Sequence, residues 1–360
     1  NVRIRLCNLS EVVPAEKKVI TDVEEISYDV LVLATGADTN FFGNKQLEAH
    51  AFPMKSTVEA LQIRHKLLQL FEKAHSIKNE IEIQRMMNIV VVGGGPTGVE
   101  VSGALAEMKK YVLPKDFPEL DFSKMNIYLL EGADKTLAAM SEKSSQQSGK
   151  YLKRLGVTVM TNTLVKDYDG QNIMLQNGDE IPTSTVIWAA GIKGNVPAGI
   201  ESSLIGKGNR IKTDRRCLVQ GFNNIYAIGD LAYLETPKFS TGLPQVAPVA
   251  MQQADLVADN LKMIERKSNP DRQYEFEYKD KGSMATVGRN LAVVDIPKPK
   301  LHFGGFFAWL IWMGLHLMLI LGVKNRFFVF FNWMYSYITY DQNLRLIFKE
   351  FDRNEEAKVS

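Results

Sequence analysis

Short runs of apolar, β-branched residues alternate with helical patterns through most of this chain. An uninterrupted apolar run is typical of a strand that is buried on both faces of a parallel sheet. Such runs and alternations predict strands at residues 2–6, 11–13, 17–20, 28–33, 87–92, 125–130, 157–160, 185–188 and 224–228. Helical periodicity predicts helices at residues 57–73, 144–155 and 247–264, with Ser56 as an N-cap, and residues 164–178 look like a hairpin with an Asn-Gly turn. The pattern as a whole predicts an α/β fold.

The strand at residues 87–92 runs directly into a glycine-rich turn, and a further helical pattern follows. The turn reads Gly93-Gly94-Gly95-Pro96-Thr97-Gly98 and matches G-x-G-x-x-G in the strand–turn–helix context that a dinucleotide needs. Gly93 permits the tight turn, Gly95 lets the backbone approach a pyrophosphate, and Gly98 lets the helix pack on the strand. The free N–H groups at the helix start then bind the diphosphate. We therefore predict a dinucleotide site at Gly93, Gly95, Pro96, Thr97 and Gly98; the alternative is an ordinary turn between a strand and a helix.

The next strand, at residues 125–130, ends in Glu131. A carboxylate at this place accepts hydrogen bonds from the adenosine ribose and repels a 2′-phosphate, so NADH is favoured over NADPH. The spacing from the fingerprint exceeds the usual interval of about 20 residues, because a segment with Pro114 and Pro118 is inserted before the strand. The alternative is an ordinary carboxylate at the end of a strand.

Two predicted strands end in similar small-residue turns, Ala34-Thr35-Gly36 and Ala189-Ala190-Gly191, and these turns flank the fingerprint segment. This symmetry predicts one domain inserted into another, with the chain crossing between them at each turn. A later strand delivers Gly229 and Asp230, and a carboxylate in that position suits the polyol of a cofactor.

Composition and charge narrow the function further. A net charge of +2 does not indicate nucleic-acid binding, and the scattered histidines give little support to a metal site. Cys7 and Cys217 lie far apart without a C-x-x-C motif, which argues against a redox disulfide and fits a reducing compartment.

The C-terminal part is strongly apolar and aromatic. Residues 303–323 contain no Asp, Glu, Lys or Arg, and a second aromatic run covers residues 327–340 after Lys324-Asn325-Arg326. The first run reaches the length of about 18 to 20 residues that a transmembrane helix needs, whereas the second run is too short to span a membrane. Tryptophan and tyrosine favour membrane interfaces, and flanking lysines and arginines suit anionic headgroups. We expect an interfacial hairpin on a bilayer rather than a span; the alternative is a buried dimer interface.

These motifs together resemble those of the two-dinucleotide-binding flavoprotein reductases, and within them the membrane-bound type II NADH dehydrogenases. The resemblance covers nearly the whole chain and rests on motifs at residues 34–43, 92–100, 188–191, 228–230, 243–253 and 280–289, together with the aromatic C-terminal hairpin. It implies noncovalent FAD and NADH as cofactors, a quinone as acceptor, no proton pumping, and two Rossmann-like domains with the NADH domain inserted in the FAD domain. The expected divisions are 1–55 and 191–298 for the FAD domain, 56–190 for the NADH domain and 299–360 for membrane anchoring.

The resemblance also implies roles for individual residues. The positions expected to contact FAD or its neighbourhood are Thr35, Gly36, Gly191, Gly229, Asp230, Ala247 and Val249. Glu100, in the first turn of the fingerprint helix, is expected to orient the nicotinamide or tune the flavin. Gln252, Gln253 and Lys281 are expected to line the quinone site, with Lys281 stabilising charge on a quinone oxygen.

The sequence departs from the family in two places. The family begins with a second G-x-G-x-x-G and an acidic residue for FAD, and neither is present here, so we expect a fragment or impaired FAD binding. The family often carries A-Q-x-x-x-Q at the quinone site, where this chain has Ala247-Pro248 and then Gln252.

The favoured function is NADH:quinone oxidoreduction at the cytoplasmic side of a cell inner membrane, by a homodimer. The competing functions are a flavin reductase with another acceptor, such as a relative of sulfide:quinone oxidoreductases, and a non-catalytic NADH-binding membrane module. The first is disfavoured because the two cysteines do not occupy matching motifs.

Overall fold

The computed structural model describes residues 2–266 and 273–339. Within them the strands are β1 (Leu9–Val13), β2 (Lys18–Thr21), β3 (Glu25–Ser27), β4 (Leu31–Leu33), β5 (Ala37–Thr39), β6 (Phe52–Pro53), β7 (Asn88–Val92), β8 (Asn126–Leu130), β9 (Val157–Met160), β10 (Val165–Tyr168), β11 (Asn172–Leu175), β12 (Glu180–Pro182), β13 (Thr185–Trp188), β14 (Ile192–Gly194), β15 (Ile205–Gly206), β16 (Arg210–Lys212), β17 (Ile225–Ala227), β18 (Ala232–Tyr233), β19 (Ser283–Gly288), β20 (Leu291–Ile296) and β21 (Leu301–Gly304). The α-helices are α1 (Lys45–His50), α2 (Thr57–Ser76), α3 (Glu80–Met87), α4 (Pro96–Glu107), α5 (Leu113–Asp116), α6 (Glu142–Arg154), α7 (Ala247–Glu265), α8 (Gly305–Leu319) and α9 (Val323–Thr339).

The described residues form two compact units. One contains the described parts of Asn1–Asn40 and Ile192–Lys281, and the other those of Phe41–Gly191 and Gly282–Ser360. The chain therefore leaves the first unit after Asn40 and returns to it after Gly191. Residues 282–298, which we expected in the FAD domain, belong to the same unit as the fingerprint.

The second unit is built on a parallel five-stranded sheet in the order β6-β13-β7-β8-β9. Its central strand β7 is buried along its whole length, because both faces of the sheet are covered. Ile89 and Val91 belong to a hydrophobic core with residues of α2, α4 and α6, whereas Val90 and Val92 belong to another with residues of the antiparallel β10–β11–β12 sheet. This burial on both faces explains why the sequence of β7 shows no alternation of polar and apolar residues.

The antiparallel sheet β19-β20-β21 packs on the fingerprint helix α4. At Gly103 a Cβ atom would lie 1.6 Å from the carbonyl oxygen of Val287, so only glycine allows this approach of helix and strand. Ala285 and Val287 share the main hydrophobic core with Leu105 of the helix. A π-helical turn, Met108–Val112, directly continues α4.

Helices α8 and α9 form a helical hairpin in this second unit. Its loop lies at residues 320–322, and Lys324 to Arg326 lie in the first turn of α9. They still border the loop, since Arg326 Nε donates to the carbonyl oxygen of Ile320 at 2.8 Å. Residue 340, the last of the second aromatic run, lies outside the described residues.

The first unit contains a parallel pair of strands, β4 and β17, and several small antiparallel ladders. Leu33, Ile225 and Ala227 lie in its core together with Val12 and Leu231. The carboxyl ends of β4 and β17 lie side by side, because Ile228 N–H donates to the carbonyl oxygen of Leu33 at 3.0 Å.

Most predicted helices are confirmed within a few residues, and Ser56 does cap α2 in a capping box with Glu59. The strand predicted at residues 2–6 is wrong: this segment makes no strand pairing in the described residues, and Leu6 is 99% exposed. The strand predicted at 28–33 is confirmed only for Leu31–Leu33. In the region 164–178 the chain forms two strands, β10 and β11, and the Asn177-Gly178 turn instead leads from β11 to β12.

Candidate functional site

The fingerprint turn follows β7 and has a different steric requirement at each glycine. Gly93 has a φ of +109°, and a Cβ there would lie 2.5 Å from the carbonyl oxygen of Ala189. At Gly98 a Cβ would lie 1.8 Å from the carbonyl oxygen of Gly93, so this glycine permits the contact between helix and strand. At Gly95 a Cβ would meet no protein atom within 4 Å. The protein itself therefore does not require glycine at position 95, and the open space fits an approaching diphosphate.

Glu131 lies next to this turn. Its carboxylate accepts the N–H of Gly94 through Oε2, and the N–H of Ala133 through Oε1 at 2.7 Å. The N–H of Leu137 donates to the carbonyl oxygen of Gly94 at 2.7 Å and also stabilises the turn. Glu131 thus holds the fingerprint turn in addition to its predicted role as ribose ligand, and a ribose hydroxyl would share an already oriented carboxylate.

The turn after β4 carries Thr35 and Gly36 and is fixed by Asn195, a residue that the sequence analysis missed. Thr35 Oγ1 donates to the carbonyl oxygen of Asn195 at 2.6 Å, and the N–H of Asn195 donates to the carbonyl oxygen of Gly36 at 3.0 Å. Because these contacts link residues 160 positions apart, nothing local in the sequence identifies Asn195.

Asp230 follows β17 in a short 3-10 turn that begins at Gly229, whose φ is +70°. Gln253 holds this turn, since its Oε1 accepts the N–H of Gly229 at 2.7 Å and its side chain is 1% exposed. Gln245 Nε2 donates to the carbonyl oxygen of Asp230 at 2.8 Å. The loop before α7 and the helix itself therefore hold the backbone of the turn that carries Asp230.

The other residues predicted around the flavin and the quinone lie at or near α7. Ala247 is its first residue, and Val249 is buried with its N–H donating to the carbonyl oxygen of Val246 at 3.0 Å. Gln252 exchanges hydrogen bonds with the backbone of Lys279, at 3.1 and 3.0 Å. Lys281 is exposed in the loop before β19.

Arg210 is a buried cation that the sequence analysis did not single out. It is 6% exposed, donates through Nη1 to the carbonyl oxygen of Leu243 at 3.0 Å, and stacks on the ring of Tyr233. Burial lowers the pKa of Arg210, and the charges of Tyr233 and Asp230 partly oppose this.

A cavity of about 600 Å³ lies in the second unit between α4, the π-helical turn, the end of β19 and the α8–α9 hairpin. Its apolar lining includes Phe306, Trp309, Trp312, Phe330 and Trp333. This volume lies within the range of small-molecule sites.

Glu100, which the sequence analysis predicted, lines this cavity, and Glu107, which it missed, lines it as well. Glu100 Oε1 accepts the N–H of Thr286 at 3.2 Å, while Glu107 Oε1 accepts the N–H of Arg289. Burial raises the pKa of both carboxyls, and the backbone donors partly oppose this. The signal for Glu107 was its spacing of two helical turns from Glu100, which places both on one face of α4.

Among residues 2–266 and 273–339, no group of three or more His, Cys, Asp or Glu side chains is arranged to hold a metal ion. No helix in this part of the chain has the length and apolarity to cross a bilayer.

A parallel sheet with a glycine fingerprint at its carboxyl end defines a dinucleotide-dependent oxidoreductase unit. The model of the pyridine nucleotide-disulphide oxidoreductase family matches residues 1–254, and that of the NDH2 C-terminal domain matches residues 281–339. Among the relatives, the type II NADH:quinone oxidoreductase Ndh of Mycobacterium tuberculosis is 32% identical over 94% of this chain and 74% of its own length. The external NADH-ubiquinone oxidoreductase 2 of Saccharomyces cerevisiae mitochondria is 29% identical over 91% of this chain and 67% of its own.

The structure of NDH2 from Plasmodium falciparum in complex with NADH matches the fold, with a TM-score of 0.84, 23% identity, and coverage of 95% of this chain and 85% of that one. This chain belongs to the type II NADH:quinone oxidoreductases, within the pyridine nucleotide-disulphide oxidoreductase family.

Proposed function

We infer that this chain is a flavoenzyme that transfers two electrons from NADH through noncovalent FAD to a quinone. The observation that carries this function is the fingerprint turn, whose Gly95 leaves open the space that a diphosphate needs, in a chain of this family. The same unit holds an aromatic cavity with room for a quinone ring and part of its tail.

NADH would bind at the second unit, with its diphosphate on Gly93, Gly95, Pro96, Thr97 and Gly98. The N–H groups of the first turn of α4 and the helix dipole supply the positive potential for this diphosphate. Glu131 would bind the adenosine ribose, and its charge disfavours a 2′-phosphate. Glu100 lies in the first turn and a half of α4 and would orient the nicotinamide side.

The residues of the first unit fit FAD, because the carboxyl ends of the parallel strands β4 and β17 form the kind of crevice in which cofactors bind. Thr35 and Gly36 would approach the cofactor with backbone atoms, and Gly229 and Asp230 would hold its polyol. Ala247 and Val249 would lie in the first turn of the helix near its ring. Gly191 would flank the second crossover of the chain. FAD held by these residues would supply the two-electron redox chemistry between NADH and the acceptor. The fixed cation of Arg210 would favour negative charge in this region.

The acceptor would be a quinone. The aromatic cavity of the second unit would hold its hydrophobic part. In the first unit, Gln252 and Lys281 stay the residues that we predict for the quinone from the family resemblance. The amide of Gln253 is bound to Gly229, so we expect Gln253 to act through the turn that it holds.

The α8–α9 hairpin would attach the enzyme to the cytoplasmic face of a cell inner membrane. Many of its apolar side chains are exposed, and among the described residues of α9 none is buried. Large exposed apolar patches mark membrane or protein contacts. Lys324 and Arg326 would contact anionic headgroups, and a homodimer through the same surface is the competing arrangement.

Replacing Leu319 and Leu321 by glutamine should release the protein from vesicles. These leucines are 65% and 86% exposed. Because burial of a leucine stabilises by about 1.5–3 kcal/mol, loss of both should weaken partitioning by about 100-fold or more. Flotation with vesicles of phosphatidylcholine and phosphatidylglycerol measures the effect, and Leu164→Gln, at a leucine 53% exposed outside the hairpin, is the control. Unchanged flotation together with loss of a dimer in sedimentation would assign this surface to a dimer instead.

The visible spectrum tests the function as a whole. The purified chain is mixed with FAD, reduced anaerobically with NADH, and then given a soluble short-chain quinone. A flavin band that NADH bleaches and the quinone restores supports the enzyme. If NADH binds but no flavin does, even with the N-terminal fingerprint of a relative joined to the chain, the non-catalytic NADH-binding module is the correct function.

A further inference from the structure

We propose that Glu107 takes up from water the proton that quinone reduction consumes and delivers it into the aromatic cavity. This inference rests on the proposed function, because it assigns a residue to that reaction.

The reaction requires such a group. Its balance is NADH + H⁺ + quinone → NAD⁺ + quinol, in which C–H cleavage in NADH supplies two electrons and one proton. Two O–H bonds form on the quinone, so the second proton must come from water. A largely apolar cavity does not conduct this proton by itself, and a carboxyl at its margin is a suitable carrier.

The position of Glu107 suits this role. It lies seven residues after Glu100, on the same face of α4 and about 10 Å farther along the helix axis. Both carboxyls line the cavity. Glu100 is near the nucleotide-binding end of the helix, whereas Glu107 is at its other end and is partly exposed. Glu107 is therefore a solvent-accessible carboxyl in the wall of the cavity.

A backbone hydrogen bond holds the carboxyl of Glu107 in place. One oxygen accepts the backbone N–H of Arg289. The other titratable or charged side chains that line the cavity are Glu100 on the same helix, Arg289 on the β19–β20 turn, Tyr111 in the π-helical turn and Tyr337 on α9. Burial raises the pKa of Glu107 despite the charge of Arg289, so the carboxyl is protonated over a wider pH range than an exposed one.

The other groups are less suited to carry the proton. The guanidinium of Arg289 lies 3.9 Å from the ring centroid of Tyr337, and arginine does not release its proton in proteins. The hydroxyl of Tyr337 donates to Asn290 Oδ1 at 3.2 Å. His316 on α8 is not in the cavity lining, and its Nδ1 is hydrogen-bonded to the carbonyl oxygen of Trp312 at 2.7 Å.

Glu107→Gln provides the test, since the amide oxygen still accepts the N–H of Arg289 but carries no exchangeable carboxyl proton. The FAD-loaded chain is assayed with NADH and two acceptors: a soluble quinone, which takes up protons, and ferricyanide, which takes up electrons alone. We expect quinone reduction to fall on the order of 10²-fold, with ferricyanide reduction and bleaching by NADH unchanged. Glu119→Gln, at an exposed glutamate of the same unit, should match the wild type with both acceptors.

The pH profile separates proton transfer from a structural role. The wild-type rate with quinone should fall as the pH rises through the raised pKa of Glu107, because the carboxyl then lacks its proton. Glu107→Gln should lack this alkaline fall, and Glu107→Asp should recover it. Equal losses with both acceptors, or a wild-type pH profile in Glu107→Gln, would overturn the inference and leave the proposed function intact. Failure of the wild type to reduce quinone would instead refute the proposed function, and the inference with it.

Discussion

Gly95→Ala should abolish tight NADH binding and leave the fold unchanged. The backbone at Gly95 has a φ of −70°, which alanine adopts freely, and an added Cβ meets no protein atom within 4 Å. The methyl group would occupy the space assigned to the diphosphate, and overpacking of this kind costs about 1–3 kcal/mol. NADH affinity should therefore fall about 10- to 100-fold, measured by quenching of NADH fluorescence or by calorimetry.

Gly98→Ala is the matched control. Here the added Cβ would lie 1.8 Å from the carbonyl oxygen of Gly93, so the strand and the helix must separate. We expect unfolding to become easier by about 3 kcal/mol or more, seen as a lower urea midpoint. If Gly95→Ala lowered the midpoint as much as Gly98→Ala while NADH affinity stayed normal, the turn would be a purely structural connection.

Asp230→Ala should remove FAD. Gln253 and Gln245 fix the backbone of the Gly229-Asp230 turn, so the position of Asp230 is set before a cofactor binds. Hydrogen bonds to a charged group contribute about 1.5–3 kcal/mol each, and the loss of even one or two should weaken FAD binding about 100-fold. The ratio of flavin to protein absorbance after gel filtration measures this, in a chain that binds FAD as isolated or with a relative's N-terminal fingerprint joined to it.

Asp29→Ala, at an exposed aspartate of the same unit, controls for the loss of a carboxylate. Asp230→Asn should give an intermediate loss, because the amide keeps one acceptor without the charge. Full flavin content in Asp230→Ala would show that the cofactor polyol is bound elsewhere.

The parts of the structure that are formed by neighbouring residues in the sequence were predictable. The β7 strand, the fingerprint and the start of α4 form one continuous segment, and their glycines have local steric reasons that any sequence of this kind must satisfy. The positions of Glu131 and Asp230 were predictable, because Glu131 directly follows β8 and Asp230 follows β17 after Ile228 and Gly229. Ser56 was predictable as a cap, since capping depends on four consecutive residues.

Only the tertiary structure decided which distant residues hold these groups in place. Asn195 on the Thr35 turn and Gln253 on the Gly229 N–H act across long separations in sequence, which residue patterns do not encode. The same holds for the aromatic cavity: its walls come from α4, β19 and the hairpin, and the two carboxyls acquire raised pKa values only because packing buries them. The sequence thus determined the class of cofactor and the local turns that receive it, whereas burial and contacts between distant segments determined the environment in which those groups act.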